Sequence, residues 1–247
     1  MARTSNRPRS GSPLHLPGAF ELWQPSKDLV LKNIWIFGPL YALPLIFGIH
    51  QWIWSPGPNQ ASHWWNHTSS FGSGWPGSPL PSFDTSIFIG FSLLWLIFVL
   101  VAGTIASVMT QAAQLDAIEH KPLDFQDLWK VVKELGLRML GLYLVMGVLI
   151  GIGLLLLIVP GLILARRYFL APYVMLEKKC SIREALDGSA ALTGKNPGSI
   201  WGIFGVMFII SLIGAVPLIG GLASFIAGAL YSIAPALRYQ QLKKIGA

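Results

Sequence analysis

The 21 residues Met139–Val159 carry no charged side chain. At ~1.5 Å rise per residue, a helix of that length crosses a ~30 Å hydrocarbon core. Five further apolar runs can be placed on the same logic, at Asn33–Trp54, Ser86–Met109, Gly161–Leu176, Ile200–Val216 and Leu218–Leu237. Only 12% of the residues are charged, about half the usual share, and they are segregated between the runs. An ordinary soluble domain is therefore excluded.

The start, 1–17, is basic and rich in Ser, Pro and Gly, a composition expected to stay disordered. It does not read as a cleavable signal peptide, since the first apolar run begins only near Leu29 and has no small-x-small site behind it. The membrane domain then spans 18–240, and 241–247 is left as a C-terminal tail. Sixteen of the eighteen basic residues fall in four connecting segments. These are Arg3, Arg7, Arg9, Lys27 and Lys32; Lys121, Lys130, Lys133 and Arg138; Lys178, Lys179, Arg183 and Lys195; and Arg238, Lys243 and Lys244. The alternate connections hold none. By the positive-inside rule both termini are expected in the cytoplasm of a bacterial cell, and the loop 55–85 outside. The net charge of +7 does not point to nucleic acid, because the basic residues gather on no single soluble face. The lone Cys180 excludes an intrachain disulfide and any multi-cysteine metal site.

The cytoplasmic segments read as amphipathic helices lying at the membrane interface, at about 124–138 and 181–194. In the first, Asp124 is the expected N-cap, and Leu128, Val132, Leu135 and Met139 share one face. In the second, Ser181 and Glu184 form an S-x-x-E capping box, Ile182, Ala185, Leu186 and Ser189 make a weakly apolar face, and Gly194 is the expected stop. The alternative is that such helices pack on their own protein. Glu21-Leu22-Trp23 and Lys27-Asp28-Leu29 return as Asp127-Leu128-Trp129 and Lys133-Glu134-Leu135, at a constant offset of 106. Lys32-Asn33 returns more loosely as Lys195-Asn196. The fold expected is thus all-α: a polytopic membrane bundle of six transmembrane helices, arranged as three hairpins each preceded by a surface helix.

Pro160-Gly161, Arg167, Ala171-Pro172, Glu177, Glu184-Ala185-Leu186, Ser189, Leu192 and Gly194 together resemble the six-span membrane domain named after glycerophosphoryl diester phosphodiesterase. Gly188 stands where that pattern has a basic residue. In that family the hydrolytic chemistry belongs to a separate soluble barrel, which 247 residues of this composition do not contain. The resemblance therefore implies a membrane domain and no hydrolase activity.

Arg166 and Arg167 are the sharpest functional candidates. They lie roughly 9 Å from Pro160 and 15 Å from Glu177 at helical rise. An arginine at that depth needs a partner or a watery cavity, and no proposed crossing offers an acid. Tyr143, Thr104, Ser107, helix-end carbonyls or an external anion such as a lipid phosphate could serve. Snorkelling to an interface is the competing account. Trp52, Trp54, Trp64, Trp65 and Trp75 suit an aromatic belt at the outer interface. No metal is expected; His63 and His67 would be the residues to hold one if their segment were helical, which its Gly, Ser and Pro oppose. Gly147-x-x-x-Gly151, Gly198-x-x-x-Gly202 and Gly220-Gly221 are candidates for close helix approach. Nucleotide loops, nucleophile–base pairs and paired acids are missing from the sequence. The function expected is a non-enzymatic scaffold, assembly or envelope-maintenance protein that contacts membrane lipid, including anionic lipid, and takes no cofactor. It would act as a homo-oligomer or with other membrane proteins. The alternative is a carrier or lipid-translocating protein using Arg166 and Arg167 as an anion site.

Overall fold

The computed structural model describes residues 16–42, 85–216 and 220–246. All regular structure among them is helical. A 3-10 turn, Phe20–Leu22, leads into α1 (Trp23–Lys32), and residues 34–42 are helical again. There follow α2 (Thr85–Ile118), α3 (Phe125–Leu156), α4 (Ile158–Tyr168), α5 (Ala171–Lys178), α6 (Ile182–Lys195), α7 (Pro197–Gly214), α8 (Gly220–Tyr231) and α9 (Ala234–Gly246). Five stretches are long and apolar enough to cross a membrane: Leu93–Ile118, Phe125–Leu156, Ile158–Lys178, Pro197–Gly214 and Gly220–Ile245. Most of the expected crossing Asn33–Trp54 lies outside the described residues. So does nearly all of the loop 55–85, with Trp52, Trp54, Trp64, Trp65, Trp75, His63 and His67. Residues 16–37, 104–216 and 220–246 belong to one compact unit, while 38–42 and 85–103 belong to another.

Within the larger unit the amphipathic face read from the sequence is the buried one. Asp124 caps α3, its carboxylate accepting from the Gln126 N–H at 3.1 Å. Leu128, Val132, Leu135 and Met139 are all buried, and Leu142 extends the stripe. A separate surface helix does not exist here. With no proline or other break after the cap, α3 runs unbroken from Phe125 into the expected crossing. It ends at Leu157, one extended residue (φ −161°, ψ 144°), after which α4 packs back along α3. Likewise α8 packs along α7.

The glycines at the α3–α4 contact are not those of the G-x-x-x-G pattern. A Cβ on Gly153 would lie 2.9 Å from the Gly161 Cα, and one on Gly161 would lie 2.5 Å from the Leu154 side chain. Added methyls at Gly147, Gly151, Gly198 and Gly221 would meet nothing within 4 Å. Gly202 and Gly220 do sit close to neighbours, at Ala19 and the Ile213 carbonyl.

Two expected crossings are broken, each by a proline acting four residues upstream. Proline lacks the N–H that would bond residue i−4, and its ring strikes that carbonyl. Pro172 thus ends α4 at Tyr168, and Pro235 ends α8 at Tyr231. Helix α9 then continues through Gly246 with Leu242 buried, so 241–246 is helical. Gly194 lies inside the last turn of α6; the stop comes at Asn196, where Pro197 keeps the preceding residue out of the helical region (φ −134°, ψ 68°).

Leu22, Ile203, Val206, Tyr231 and Ala234 form a buried cluster where the N-terminal segment meets α7, α8 and α9. The segment is tied there by polar bonds as well. The Tyr231 hydroxyl donates to the Ala19 carbonyl at 2.9 Å, and the Ser26 hydroxyl to the Leu230 carbonyl at 2.6 Å. Large apolar side chains stay exposed around the α3–α4 break, from Leu154 to Val159, and on Phe208, Ile209, Leu212, Leu222 and Ile226 of α7 and α8. Soluble monomers rarely expose apolar surface so continuously.

Candidate functional site

The break after Tyr168 decides what Arg166 and Arg167 are. They occupy the last turn of an eleven-residue helix, where a cation faces the negative end of the helix dipole. They also fall near the middle of the Ile158–Lys178 stretch that is long and apolar enough to cross a membrane. The carbonyl of Arg167, freed by the break, accepts from the Ser189 hydroxyl at 2.8 Å and lies 3.1 Å from the Thr193 hydroxyl, which shares its one proton with the Ser189 carbonyl at 2.9 Å. Ser189 also accepts from the Leu170 N–H at 3.2 Å. One buried hydroxyl on α6 therefore satisfies both sides of the gap between α4 and α5. Buried backbone groups must be paired, and this is the pairing.

The two side chains part company. Arg167 is exposed, while Arg166 is half-buried, with its Nε enclosed and without a hydrogen-bond partner. Tyr143 is not that partner, because its hydroxyl donates to the Gln111 amide oxygen at 2.9 Å. Neither arginine lines any of the three cavities described below.

The other residues of the motif serve the same corner. Gly161 and Pro172 are buried at the α3–α4 contact and at the break. Pro160 falls in the first turn of α4, where its missing N–H is not needed. Ala185 and Ser189 are fully buried on the face of α6 that packs against α5 and α4. The capping box is complete, with the Ser181 hydroxyl accepting from the Glu184 N–H and the Glu184 carboxylate from the Ser181 N–H. Backbone and hydroxyl donation by Ser181 holds the Glu184 carboxyl below its ordinary value. Glu177 anchors α5 to α9, accepting from the Tyr239 hydroxyl and pairing with Lys243.

Sequence reasoning missed the polar cross-links between helices. The Tyr173 hydroxyl donates to Gln114 at 2.9 Å, its ring stacks on Tyr239, and Lys179 pairs with Glu134 at 2.7 Å. It also missed Arg238, counted there as one more cytoplasmic charge. That side chain is only 1% exposed. One Nη donates to the Pro17 carbonyl at 2.8 Å and the other to the Gln241 amide oxygen at 3.1 Å. No local signal marks it, because Arg238 lies beyond the break after Tyr231 and its carbonyl partner Pro17 is 221 positions away.

Three cavities sit among these elements. One, of about 370 Å³, opens between residues 16–19, the start of α7 and Arg238. A second, of about 300 Å³, is lined by Lys178, Lys195 and Lys243 together with Val174, Ala191 and Leu192. A third, also about 300 Å³, lies between Lys32-Asn33 and His120-Lys121. Among the described residues no group of three or more His, Cys, Asp or Glu sits together as a metal site. Comparison with family models, curated proteins and solved structures finds no match to this chain.

Proposed function

We propose that the chain is a multi-pass protein of the bacterial cytoplasmic membrane, with six crossings in three hairpins and both termini inside. Its work is non-catalytic: it serves as a scaffold, assembly or envelope-maintenance factor that holds anionic lipid. The resemblance of the Pro160–Gly194 motif to the membrane domain named after glycerophosphoryl diester phosphodiesterase supports the same reading.

The observation that carries it is the second cavity. Lys178 and Lys195, with Lys243 already paired to Glu177, line it together with apolar Val174, Ala191 and Leu192, a combination that suits an anionic headgroup with its acyl chain. Exposed apolar surface on α7 and α8 supplies the lipid-facing exterior. Native mass spectrometry from mild detergent tests it. The wild type should retain phosphatidylglycerol over phosphatidylcholine, and Lys178→Ala with Lys195→Ala should lose that preference. Equal retention of both lipids by the wild type would sink the reading.

The enclosed, unpartnered Nε of Arg166 is the one observation favouring a carrier. In reconstituted vesicles a carrier would move an anionic lipid or solute at a rate that Arg166→Gln abolishes; a scaffold would move none.

A further inference from the structure

We propose that the cavity lined by Lys178 and Lys195 takes a lipid carrying two phosphates joined by a short spacer, the headgroup of a cardiolipin. This rests on the anionic-lipid reading above and names the headgroup.

The two lysines stand at opposite ends of one groove. Helices α5 and α6 are joined by three residues, 179–181, and run back along each other. They touch where a Cβ on Gly188 would lie 3.0 Å from the Val174 side chain. Lys178 is one turn past Val174 on α5, and Lys195 two turns past Gly188 on α6. Because the helices are antiparallel, those turns lead away from each other, and at helical rise the two backbones lie roughly 16 Å apart. Both side chains nevertheless line the same cavity of about 300 Å³, which Ala191 and Leu192 line between them. Ammonium groups on four-carbon stems meet on one phosphate across that distance only when both are stretched towards each other. Two phosphates on a short spacer let each stem relax.

The charges match end by end. At the α5 end Lys243 is paired with Glu177, the residue before Lys178, so two ammonium groups face one carboxylate. Neither Lys178 nor Lys195 has an ion-pair partner among the described residues. Both occupy the last turn of a helix, where the dipole favours an ammonium without supplying a full counter-charge. One net positive side-chain charge thus remains at each end, and a phosphodiester brings one negative charge to it. The lining residues include no acid to attract the amine of a zwitterionic headgroup. Tyr239 is the only lining hydroxyl and gives its proton to Glu177, which leaves it as an acceptor for the single hydroxyl of a glycerol bridge. Basic pockets between membrane helices hold such headgroups on these terms.

The full-length protein in an uncharged mild detergent is given equal amounts of cardiolipin, phosphatidylglycerol and phosphatidylcholine with the same acyl chain, and bound lipid is counted by native mass spectrometry. Cardiolipin should be retained about tenfold over phosphatidylglycerol, the effect of one further charged hydrogen bond. Excess inorganic pyrophosphate that strips off the cardiolipin assigns the site to paired phosphates as such, and cardiolipin retained against it assigns the site to the lipid.

Ala191→Glu is the deciding variant. Ala191 is exposed and lines this cavity alone of the three. Glutamate is a good helix former and stands four residues before Lys195, where it pairs with that ammonium. The variant should fold, melt with the wild type, and hold cardiolipin no better than phosphatidylglycerol. Lys178→Ala empties the other end and should do the same; Lys195 is left in place because it borders the first cavity as well. Cardiolipin no better than phosphatidylglycerol in the wild type, with phosphatidylglycerol still ahead of phosphatidylcholine, overturns the two-phosphate site and leaves the anionic-lipid reading standing. A full cardiolipin preference persisting in Ala191→Glu overturns the site too, and equal retention of all three lipids by the wild type overturns both.

Discussion

Ser189→Ala is the substitution that tests how the broken α4–α5 segment is held. The hydroxyl makes two bonds across the gap, to the Arg167 carbonyl and from the Leu170 N–H. Leu170 is fully buried, so its N–H would be left without an acceptor, at a cost of ~1–3 kcal/mol. The Arg167 carbonyl would keep Thr193 as a donor, which limits that loss to ~0.5–1.5 kcal/mol. Alanine recovers ~0.5 kcal/mol as the better helix former. The expected net destabilisation is therefore about 2 kcal/mol. Adding Thr193→Val removes the last donor to the carbonyl and should cost about another 1 kcal/mol. Denaturant unfolding of the detergent-solubilised protein, followed by fluorescence, gives the values. Ser211→Ala is the control, because Ser211 is exposed and bonds only back to the Met207 carbonyl; it should stay within about 0.5 kcal/mol of wild type. If Ser189→Ala is no worse than Ser211→Ala, the gap is not held by this hydroxyl.

Gly161→Ala should destabilise by more than about 1 kcal/mol, because the methyl meets the Leu154 side chain and backbone, whereas Gly147→Ala should be neutral or stabilise by up to about 1 kcal/mol; thermal melts of the pair decide it. Because the folded Glu184 carboxyl titrates below its ordinary value of 4.5, its contribution is present above that pH and fades as the pH falls through the folded value. The difference in melting temperature between wild type and Glu184→Ala should accordingly shrink on acidification from neutral pH, and a gap that widens would contradict the capping role. Cys180 is the chain's one cysteine and is partly exposed. With the proposed orientation, a membrane-impermeant maleimide should label it only after cells are opened, and labelling of intact cells would invert the layout.

What could be read from the sequence was local. The Asp124 cap, the Ser181–Glu184 box and the Leu128–Met139 stripe each depend on residues within a few turns, and the structure contains all three. Of the two breaks, a kink of the last crossing at Pro235 was legible in the sequence, whereas the one at Pro172 was harder to place. A hydropathy run ignores proline, and the damage appears four residues before it, at Tyr168 and Tyr231. What repairs a break comes from elsewhere in the chain. Ser189 and Thr193 lie 22 and 26 positions from the carbonyl they satisfy, and Pro17 lies 221 from Arg238. Counting charges by segment cannot distinguish a buried guanidinium from an exposed one.

The internal echo shows where pattern stops and chemistry takes over. At the offset of 106, Leu22 matches Leu128 and Ser26 matches Val132, and all four are buried. The copies diverge at Asn33 and Met139. Asn33 leaves the helical region and turns its amide back to the Leu29 carbonyl at 3.0 Å, so α1 ends. Met139 has no such alternative, is fully buried, and α3 continues through it. A short polar side chain competes with the helix for backbone groups, and an apolar one cannot. The third copy, Lys195-Asn196, also ends its helix, but there Pro197 is sufficient cause and the Asn196 side chain forms no cap bond. There it is the Asn196 carbonyl that is engaged, accepting from the Ser199 N–H at 3.2 Å and the Ser199 hydroxyl at 2.8 Å. The same dipeptide thus stops a helix through its own side-chain amide in the first copy, and in the third through the proline that follows it.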